Sequence, residues 1–406
     1  MYTYKIGIDK KTHDDFVKDS NLTNLLQSSS WADVKDNWGH ELIGFFDGDK
    51  QVASASILIK KLPLGYTMLY TPRGPIMDYT NEALVQFVLN TLKDYGKTKK
   101  ALFVKIDPNI LLQSIEPNGE IVVNPSADKI IKNIQSTGAI WSGKTTDMAA
   151  TIQPRFNAVI YQDNFGEDLF DKKTRQFIRK AKKSAPIIQN DKDELIEDFA
   201  SLMKKTEERK EVSLRNADYY KKLLDIYPDS FINLVSIDFD QLLQEAQETL
   251  DKANTALENN ESTNSKRLTK LENDLAAAKK NLDHISSIIA NEGKSLVPVA
   301  GTLTVSFGDS AETLYAGTDT SYNRYYPSYL TWFSGTEHAF DLENKTLNMG
   351  GLENSLSDSD GLLKFKKHFN PTIEETIGEF DIPVNKVLFK ASETAYKLRK
   401  KLRSKN

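Results

Sequence analysis

The sequence predicts an α+β protein that consists of two similarly ordered α/β units and one inserted antiparallel helical hairpin. Three observations predict this fold class. Residues 1–150 alternate strand and helix signals, residues 296–350 loosely repeat that order, and residues 239–292 carry a sustained apolar 3-4 period without Gly or Pro. The length of 406 residues suits two or three domains. Because little residue identity links the two units, their similarity is predicted from the layout alone.

The first unit has the order strand, strand, turn, helix and strand. Runs rich in apolar and β-branched residues predict the strands, a Pro-Arg-Gly-Pro segment predicts a rigid turn, and apolar residues at helical spacing predict the helix. In order, these segments are Gln51–Lys60, Leu64–Tyr70, Pro72–Pro75, Asn81–Tyr95 and Ala101–Ile106.

The second unit repeats this order further along the chain. Its predicted segments are the strands Leu296–Phe307 and Glu312–Ala316, the helix Tyr326–Phe340, and the strand Thr346–Met349, which ends at Gly350 and Gly351. The segments that lead into it are the strands Asn157–Tyr161 and Phe231–Ile237 and the helices Phe170–Ser184 and Asp193–Glu211.

Between these parts of the second unit lies the predicted hairpin. Two apolar runs with 3-4 spacing, typical of a coiled-coil seam, flank the polar segment Glu258–Arg267. Each arm has about 25 residues, which corresponds to roughly 37 Å of helix. The hairpin is either a dimerisation arm or spacer, or a lever that touches a large ligand. The runs are Leu243, Ala246, Leu250, Ala253 and Leu257, followed by Leu268, Leu271, Leu275, Ala278, Leu282, Ile285 and Ile289.

The composition excludes several kinds of chemistry. The absence of cysteine excludes disulfides, thiol nucleophiles, iron–sulfur clusters and thiolate zinc sites. The five histidines form no His-x-x-x-His or His-Glu-x-x-His pair, so we expect no metal. The N-terminus lacks the basic and apolar regions of a signal peptide, and no window approaches 18 continuous apolar residues. We therefore expect a cytoplasmic protein with at most a peripheral membrane contact.

One segment, Gly138–Thr145, formally matches the phosphate-loop pattern GxxxxGK[ST]. A phosphate loop follows a buried strand and precedes a helix, whereas here Ala127–Ser136 has helical character and Gln153 and Pro154 follow soon after. We therefore expect a chance match, in which Gly138 ends a helix and leads into an edge strand.

Two segments are strongly basic, although the whole chain has a formal charge of −4. Residues 172–183 and 386–406 each carry +7, which leaves −18 on the other 373 residues. Both are predicted to be amphipathic helices, the first suited to phosphate, pyrophosphate or RNA and the second to an anionic membrane or nucleic acid. The alternatives are a solvated helix face and a frayed, solubilising tail. The first segment contains Lys172, Lys173, Arg175, Arg179, Lys180, Lys182 and Lys183.

Eight short motifs, each weak alone, occur in a specific order along nearly the whole chain. They are Ser30–Trp38, Tyr70–Asp78, Lys105–Pro108, Thr174–Ala181, Leu214–Tyr220, Gly350–Asn354, Gly361–Pro371 and Gly378–Phe380. Together with the hairpin insertion, they make the sequence resemble the Fem family of aminoacyl-tRNA-dependent peptidoglycan-branching transferases, and most of all its MurM/MurN group.

The resemblance implies two tandem acetyltransferase-like (GNAT) domains and a hairpin similar to the arm of seryl-tRNA synthetase. The implied domains are 1–150, 151–238 with 296–380, the hairpin 239–295 and a basic C-terminal helix 381–406. The implied reaction transfers Ala or Ser from aminoacyl-tRNA to the lysine ε-amine on the stem peptide of lipid II. No cofactor is implied, and the implied partners are aminoacyl-tRNA, lipid II and, through the C-terminus, the inner face of the membrane.

The resemblance also implies site residues. The family's precursor-binding positions correspond to Lys35, Trp38, Arg215, Tyr219, Asp107 and Tyr315. Lys366 corresponds to the family lysine near the reacting carbonyl, with its neighbour Lys367 as a rival. Arg215 and Tyr219 are four residues apart, so on a helix they would share a face suited to phosphate or carboxylate. Residues 172–183 become a candidate contact for tRNA or pyrophosphate.

The chemistry of such a transfer needs little from the protein beyond positioning. An aminoacyl ester is already activated, and holding it in line with an amine supplies roughly 7–11 kcal/mol of the barrier. A lysine cation can stabilise the tetrahedral oxyanion. The proton of the amine can pass to Asp107 or to the ribose hydroxyl of the tRNA, and the sequence leaves both open.

Two other functions remain as alternatives. An acyl-CoA-dependent N-acetyltransferase of the same fold usually has a Q/R-x-x-G-x-G/A loop, and the sequence contains none. A non-enzymatic scaffold could bind RNA or membrane through the coiled coil and the basic segments, without dependence on lipid II.

Overall fold

A computed structural model describes residues 1–261, 264–357 and 359–403 of the chain. Its strands form two mixed sheets. In chain order they are β1 (Tyr2–Ile6), β2 (Gly39–Asp47), β3 (Lys50–Lys61), β4 (Thr67–Thr71), β5 (Ile76–Met77), β6 (Ala101–Ile106), β7 (Leu111–Ile115), β8 (Ile121–Val123), β9 (Ile140–Trp141), β10 (Phe156–Tyr161), β11 (Pro186–Asp191), β12 (Phe231–Asp238), β13 (Leu296–Phe307), β14 (Ser310–Thr318), β15 (Thr346–Leu352), β16 (Thr372–Thr376) and β17 (Phe380–Pro383).

The α-helices cover these sheets or project from them. In chain order they are α1 (Lys10–Lys18), α2 (Trp31–Val34), α3 (Glu82–Thr98), α4 (Ala127–Ser136), α5 (Lys172–Lys182), α6 (Ile196–Lys210), α7 (Ala217–Ile226), α8 (Phe239–Glu258), α9 (Ser265–Glu292), α10 (Pro327–Asp341), α11 (Gly361–Lys367) and α12 (Lys386–Arg403).

The first sheet has the spatial order β1-β2-β3-β4-β6-β17-β9, with β5 paired to β3. Its pairs are antiparallel except β4 with β6, which run parallel. Helix α3 begins where the side chain of Asn81 accepts the backbone N–H of Leu84, and its apolar residues follow at helical spacing. Val88 of this helix packs with Ile57 and Val104 of the strands in the first core.

The second sheet has the order β11-β12-β13-β14-β15-β10-β16-β7-β8, and only β14 and β15 run parallel. Phe231 and Ile232 are neighbours on β12 and enter different cores, because successive side chains point to opposite faces of a sheet. The face of Phe231 is covered by α5, α10 and α11, and the face of Ile232 by α6, α7 and elements of the first half.

The predicted α+β layout of two similarly ordered units is confirmed. β3 and β4 are antiparallel, α3 follows, and β6 pairs parallel to β4. In the second unit β13 and β14 are antiparallel, α10 follows, and β15 pairs parallel to β14.

Two segments cross the expected domain limits at 150 and 380. β7 and β8 precede residue 150 but join the second sheet through β16, and β17 joins the first sheet between β6 and β9. Strand pairing joins residues that are far apart in the sequence, so the local signals used for the limits did not contain this exchange. Because of this exchange, each sheet contains strands from both parts of the chain, and this joins the two units.

The predicted helical hairpin is confirmed as α8 and α9, which have 20 and 28 residues. At its base, Phe239, Leu242 and Ile285 are buried in a core that includes Tyr322. The Tyr322 hydroxyl donates to Glu292 at the end of α9. The hairpin is therefore firmly attached to the second unit at its base.

Two further expectations concern the ends of elements. Gly138 has a φ of +86° directly after α4 and leads into the edge strand β9, as predicted for a chance match to the phosphate-loop pattern. The predicted C-terminal helix forms as α12, while the side chains of 395–403 and all of 404–406 lie outside the described residues. Within the described ranges, no helix combines the length and apolar character that crossing a bilayer requires.

Candidate active site

The parallel strand pair of the second sheet opens partway along its length. β14 and β15 are paired only between Ser310–Glu312 and Thr346–Asn348. Beyond these residues β14 continues with β13, and β15 continues with β10. Gly350, just past the last pair, has a φ of +89°, which residues with side chains rarely adopt, and a side chain at Gly351 would overlap Pro154. The two glycines therefore permit the backbone path of β15 at the opening.

Lys366 points its amino group at this part of β15. Its Nζ donates to the carbonyl oxygens of Gly350 at 2.8 Å and Gly351 at 3.0 Å, and the residue is only 4% exposed. Burial lowers the pKa of Lys366 to about 7; the Asp360 charge opposes this shift and the Lys210 charge adds to it. A lysine with this pKa can exchange between a cation and a neutral amine near neutral pH.

The structure separates Lys366 from its sequence rival. Both residues lie on α11, but Lys367 is exposed whereas Lys366 is buried against β15. The two lysines are neighbours in the sequence, and neighbouring side chains on a helix point about 100° apart. The geometry favours Lys366 as the residue near the opening.

The other predicted binding residues meet where the two halves pack. Lys35 and Trp38 follow α2, Arg215 lies in the loop before α7, Tyr219 lies in the first turn of α7, and Tyr315 lies on β14. The rings of Tyr219 and Tyr315 are 6.1 Å apart at a steep angle, and both pack with Trp38 against one core. The structure thus brings together five residues from three distant parts of the sequence.

Two contacts between side chains join the segments on either side of α2 to α7 and the residue that follows it. Ser28 and Tyr227 share a buried hydrogen bond of 2.7 Å, and Lys222 pairs with Asp36 at 2.5 Å. The relative position of the binding residues is therefore fixed by packing between the halves.

One detail of the sequence prediction is wrong. Arg215 was expected to share a helix with Tyr219, but α7 begins at Ala217 because the side chain of Asn216 accepts the Tyr219 backbone N–H as an N-cap. Arg215 lies in the preceding loop, and its guanidinium still stacks 4.9 Å from the Tyr219 ring. The two residues converge through this cation–π contact.

The charges around this cluster favour an anionic ligand. Burial lowers the pKa of Lys35, and the nearby charge of Arg215 lowers it further. Within the described part of the chain, neither cation has a carboxylate within 4.0 Å. Two close cations without an acidic partner are suited to a phosphate or pyrophosphate, which Arg can bind through two hydrogen bonds.

Asp107 lies at the end of β6, on the first sheet, and is only 2% exposed. Its Oδ2 accepts the Tyr70 hydroxyl at 2.8 Å, and its Oδ1 accepts the backbone N–H of Arg73 at 2.6 Å. Burial raises the pKa of Asp107 to about 7, against the opposing charge of Arg73 and with the support of Glu379. Asp107 therefore holds the Arg73 turn in place and can change its protonation near neutral pH.

A cavity of about 1250 Å³ lies between the two halves. The first half contributes apolar side chains such as Leu26 and Ile76, and the second sheet contributes a polar face. Gly351, whose carbonyl binds Lys366, lies on its wall, as does Arg73. The cavity therefore reaches the strand on which the lysine acts. The polar face includes Asn157, Tyr161, Glu312, Asn348 and Glu374.

The basic helix α5 lies beside α11. Thr174 of α5 and His368 after α11 share a hydrogen bond of 2.6 Å, which fixes the two helices side by side. All seven basic residues of the predicted segment are exposed, and among them only Lys182 has an ion pair with a described residue, Glu167 at 2.6 Å. A surface with six cations outside ion pairs is a good electrostatic match for a polyanion.

The sequence reasoning missed Arg73, Glu312 and Glu374. Arg73 was included only in a turn motif, although its φ of +53° shows an unusual backbone position. Glu312 and Glu374 stand in ordinary strand positions, and no local pattern distinguishes them. Only the assembly of the sheet places them on the cavity.

Comparison with known proteins agrees with this geometry. The FemAB family model matches residues 8–397. The chain also matches the structure titled "Crystal structure of FemX", with a TM-score of 0.73 and 25% identity, over 96% of this chain and 99% of that chain. This agreement over both halves confirms the predicted fold.

Curated relatives match along nearly their whole length. The lipid II:glycine glycyltransferase of Staphylococcus saprophyticus is 26% identical over 409 residues, which covers 96% of this chain and 95% of that protein. The protein of the same name from Staphylococcus epidermidis is 27% identical over 402 residues, which covers 95% and 94%.

Proposed function

Because the chain belongs to the FemAB family, we propose that it transfers an amino acid from aminoacyl-tRNA to the stem-peptide amine of lipid II during peptidoglycan cross-bridge synthesis. The chain is an aminoacyltransferase, like its named relatives. The observation that carries the assigned site is the opening between β14 and β15, with the Lys366 amino group at its edge. The tRNA donor and the residue roles below belong to the proposal.

In this reaction the amine attacks the ester carbonyl carbon, a C–N bond forms, and the C–O bond to the ribose breaks. Charge develops on the carbonyl oxygen, where the Lys366 cation stabilises it. The proton lost by the amine ends on the departing ribose oxygen. It passes there directly or through Asp107, whose pKa of about 7 suits a proton carrier. The hydrogen bonds that Asp107 accepts from Tyr70 and Arg73 keep it in place.

Lys35 and Arg215 bind the pyrophosphate of lipid II in this proposal. They are close enough for their charges to interact, and neither has an acidic partner within the described residues. Trp38, Tyr219 and Tyr315 surround them with apolar and aromatic surface. From there the stem peptide runs into the cavity between the halves, and its amine reaches the opening from that side.

The exposed cations of α5 bind the acceptor end of the tRNA. Support comes from the position of α5 next to α11, since this places a phosphate-binding surface beside Lys366. For the hairpin, the two alternatives of a dimerisation arm or spacer and of a lever that touches a large ligand stay open. Residues 239–292 contain ten acidic and six basic residues, a balance that does not favour the hairpin as the main tRNA contact.

The basic C-terminal segment 386–406 provides a peripheral contact with the anionic inner face of the membrane, where lipid II is anchored. This part of the proposal, together with a cytoplasmic location, rests on the charge of +7 and the amphipathic helix α12. A truncation after residue 385 that binds anionic vesicles as well as the full chain would contradict it.

The transfer itself is tested with radiolabelled aminoacyl-tRNA and lysine-containing lipid II. We expect label in the lipid with Ala-tRNA or Ser-tRNA, and Gly-tRNA is the third donor to compare because the named relatives are glycyltransferases. If none of the three labels reaches the lipid, the proposed function is wrong. Transfer from Gly-tRNA alone would contradict the Ala or Ser donor and leave the reaction type intact.

A further inference from the structure

The cavity between the two halves has an unusual charge balance. Its walls contain one basic side chain, Arg73, among the described residues that line it. Against this single cation stand five acidic residues on the same walls. They are Asp19, Asp78, Asp309, Glu312 and Glu374. At about 1250 Å³ the space is larger than a typical small-molecule pocket, and it accommodates several residues of a peptide.

Most of these acids already have partners. Asp309 pairs with Lys345 at 3.0 Å, Asp78 accepts from the hydroxyl and backbone N–H of Thr80, and Glu374 accepts the Tyr161 hydroxyl at 2.6 Å. These carboxylates are satisfied within the protein and need no ligand.

Glu312 differs from them. Within the described part of the chain, its carboxylate takes part in no hydrogen bond or ion pair. Burial raises the pKa of Glu312, and the only opposing influence is the Arg73 charge. Arg73 itself is 6% exposed and directs its Nη2 to the carbonyl of Pro154 at 3.0 Å. The carboxylate therefore faces the cavity with its hydrogen-bonding capacity unused.

The position of Glu312 in the sheet is also specific. Glu312 and Asn348 are the last paired residues before β14 and β15 separate. Glu374 lies on β16, three strands away along the same sheet, which corresponds to roughly 14 Å at about 4.8 Å per strand. Glu312 is thus the acid of the cavity wall that stands at the edge of the opening.

A cation of suitable chemistry is an organic ammonium. No group of three or more His, Asp or Glu side chains that could hold a metal ion occurs in the described residues. A single carboxylate with unused acceptor positions, in a partly buried setting, matches a primary ammonium group that donates up to three hydrogen bonds.

We propose that Glu312 binds the primary ammonium group of a substrate at the point where β14 and β15 diverge. The inference rests on the proposed function, since that function supplies two such groups: the lysine ε-amine of the acceptor and the α-amine of the aminoacyl donor. Binding at this position holds the amine beside the strand that carries the Lys366 contacts.

Equilibrium binding to amine-bearing and N-acetylated ligands tests the proposal. The acceptor arm compares a lysine-containing stem pentapeptide with its Nε-acetyl form, and the donor arm compares Ala-tRNA with N-acetyl-Ala-tRNA. We expect the wild-type protein to prefer the free amine by about tenfold or more in one arm, as for a charge-assisted hydrogen bond. In Glu312→Gln this preference should fall below about threefold, while affinity for the acetylated ligand stays unchanged.

Two controls separate the possible causes. Glu374→Gln removes a charge from the same cavity at a distance and should reduce the preference less than Glu312→Gln. Glu208→Gln removes an exposed charge outside the cavity and should leave the preference unchanged. Unchanged affinity for the acetylated ligand shows that each variant is folded.

The arm that responds identifies the source of the ammonium. If Glu312→Gln keeps the wild-type preference in both arms, or if the wild-type protein has none in either, the inference is wrong. Failure of the proposed function has a different result, namely wild-type protein that binds neither the peptide nor the tRNA and transfers no label.

Discussion

Both sheets contain two antiparallel strands, a following helix and a parallel strand, but their parallel strand pairs differ in extent. In the first sheet β4 and β6 are paired from Thr67 with Ala101 to Thr71 with Ile106, with one register shift before Leu69, and β17 pairs with the other side of β6. In the second sheet the pairing of β14 with β15 stops after three residues. The same layout therefore gives a closed sheet in one half and an open one in the other.

Each of these places also has a lysine, and the two lysines differ in the groups that surround their amino groups. Lys105 of the first sheet pairs with Glu379 at 2.8 Å and Asp381 at 2.9 Å. Burial alone would lower its pKa, but Asp381 and Glu379 outweigh burial and raise it. Lys366, which lies on α11 against the open second sheet, donates to two carbonyl oxygens, and burial lowers its pKa to about 7.

This difference indicates that the two lysines have different roles. The Lys105 cation is balanced by two carboxylates and joins β6 to β17, so its role is structural. Lys366, beside the open sheet, has no carboxylate within 4.0 Å in the described residues. Its amino group can therefore interact with charge that develops on a bound substrate. We therefore expect Lys105 to matter for stability and Lys366 to matter for the transfer reaction.

The largest expected effect comes from removing the lysine of the open sheet. Lys366→Ala should lower kcat by about 10² to 10³, which is typical for the loss of one oxyanion-stabilising group. Lys367→Ala on the same helix should stay within about threefold of the wild-type rate. Steady-state transfer with both substrates at saturation measures the effect, and equal losses in the two variants would contradict the assignment.

A binding residue should show the opposite kinetic pattern. Lys35→Ala in the first half removes one of two cations that face the phosphate, so the KM for lipid II should rise by about tenfold or more. The kcat should change by less than about threefold. A fall in kcat with an unchanged KM would contradict a binding role for Lys35.

The pH dependence of transfer tests whether the Lys366 cation takes part in the reaction. The cationic form of Lys366 is lost as the pH rises through about 7, whereas the arginine in Lys366→Arg stays charged. The ratio of wild-type to Lys366→Arg activity should therefore fall by about tenfold or more from pH 7 to pH 9. The ratio cancels the titration of the acceptor amine, and a ratio that is constant with pH would exclude Lys366 as the titrating cation.

Glycines with a positive φ allow a matched test of the opening. Gly350 has a φ of +89° at the opening, and Gly48 has a φ of +60° in the turn between β2 and β3, with no atom near its position for a Cβ. Replacing either with Ala should cost about 1–2 kcal/mol of stability. Only Gly350→Ala should also reduce transfer, by about fivefold, because it displaces a carbonyl bound by Lys366. Thermal unfolding and transfer assays on both variants check this.

The basic helix should give the smallest effect per residue. Arg179→Ala should reduce the salt dependence of tRNA affinity by about one unit in the slope of log K against log salt. Lys182→Ala should change the slope less, because Lys182 is already paired with Glu167. Titrations at several salt concentrations measure both slopes. If both variants keep the wild-type slope, α5 is not part of the tRNA-binding surface.

The sequence predicted those parts of the fold that depend on local patterns. The hairpin follows from 3-4 spacing within each arm, and α3 follows from apolar residues at helical spacing. The exchange of β7, β8 and β17 between sheets could not be predicted, since it depends on pairing between distant residues. For the same reason the opening after Glu312 could not be predicted, because it depends on where the pairing between β14 and β15 ends.

The candidate site could also be predicted only in part from the sequence. Lys35, Trp38, Arg215 and Tyr219 were named from motifs, and the fold brings them together with Tyr315. The helical relation between Arg215 and Tyr219 failed because an N-cap at the intervening Asn216 outweighed the spacing argument. Lys366 and Lys367 could be separated only by burial, which a sequence motif does not contain.

One labelling experiment tests most directly whether the open sheet is the reaction site. An aminoacyl-tRNA with a bromoacetyl group on its α-amine alkylates a neutral amine beside the bound aminoacyl end and releases bromide. Because Lys366 has a pKa of about 7 and the chain has no cysteine to compete, the label should map to Lys366 and disappear in Lys366→Arg. Label on Lys105, or on surface lysines alone, would contradict the assignment of chemistry to the opening between β14 and β15.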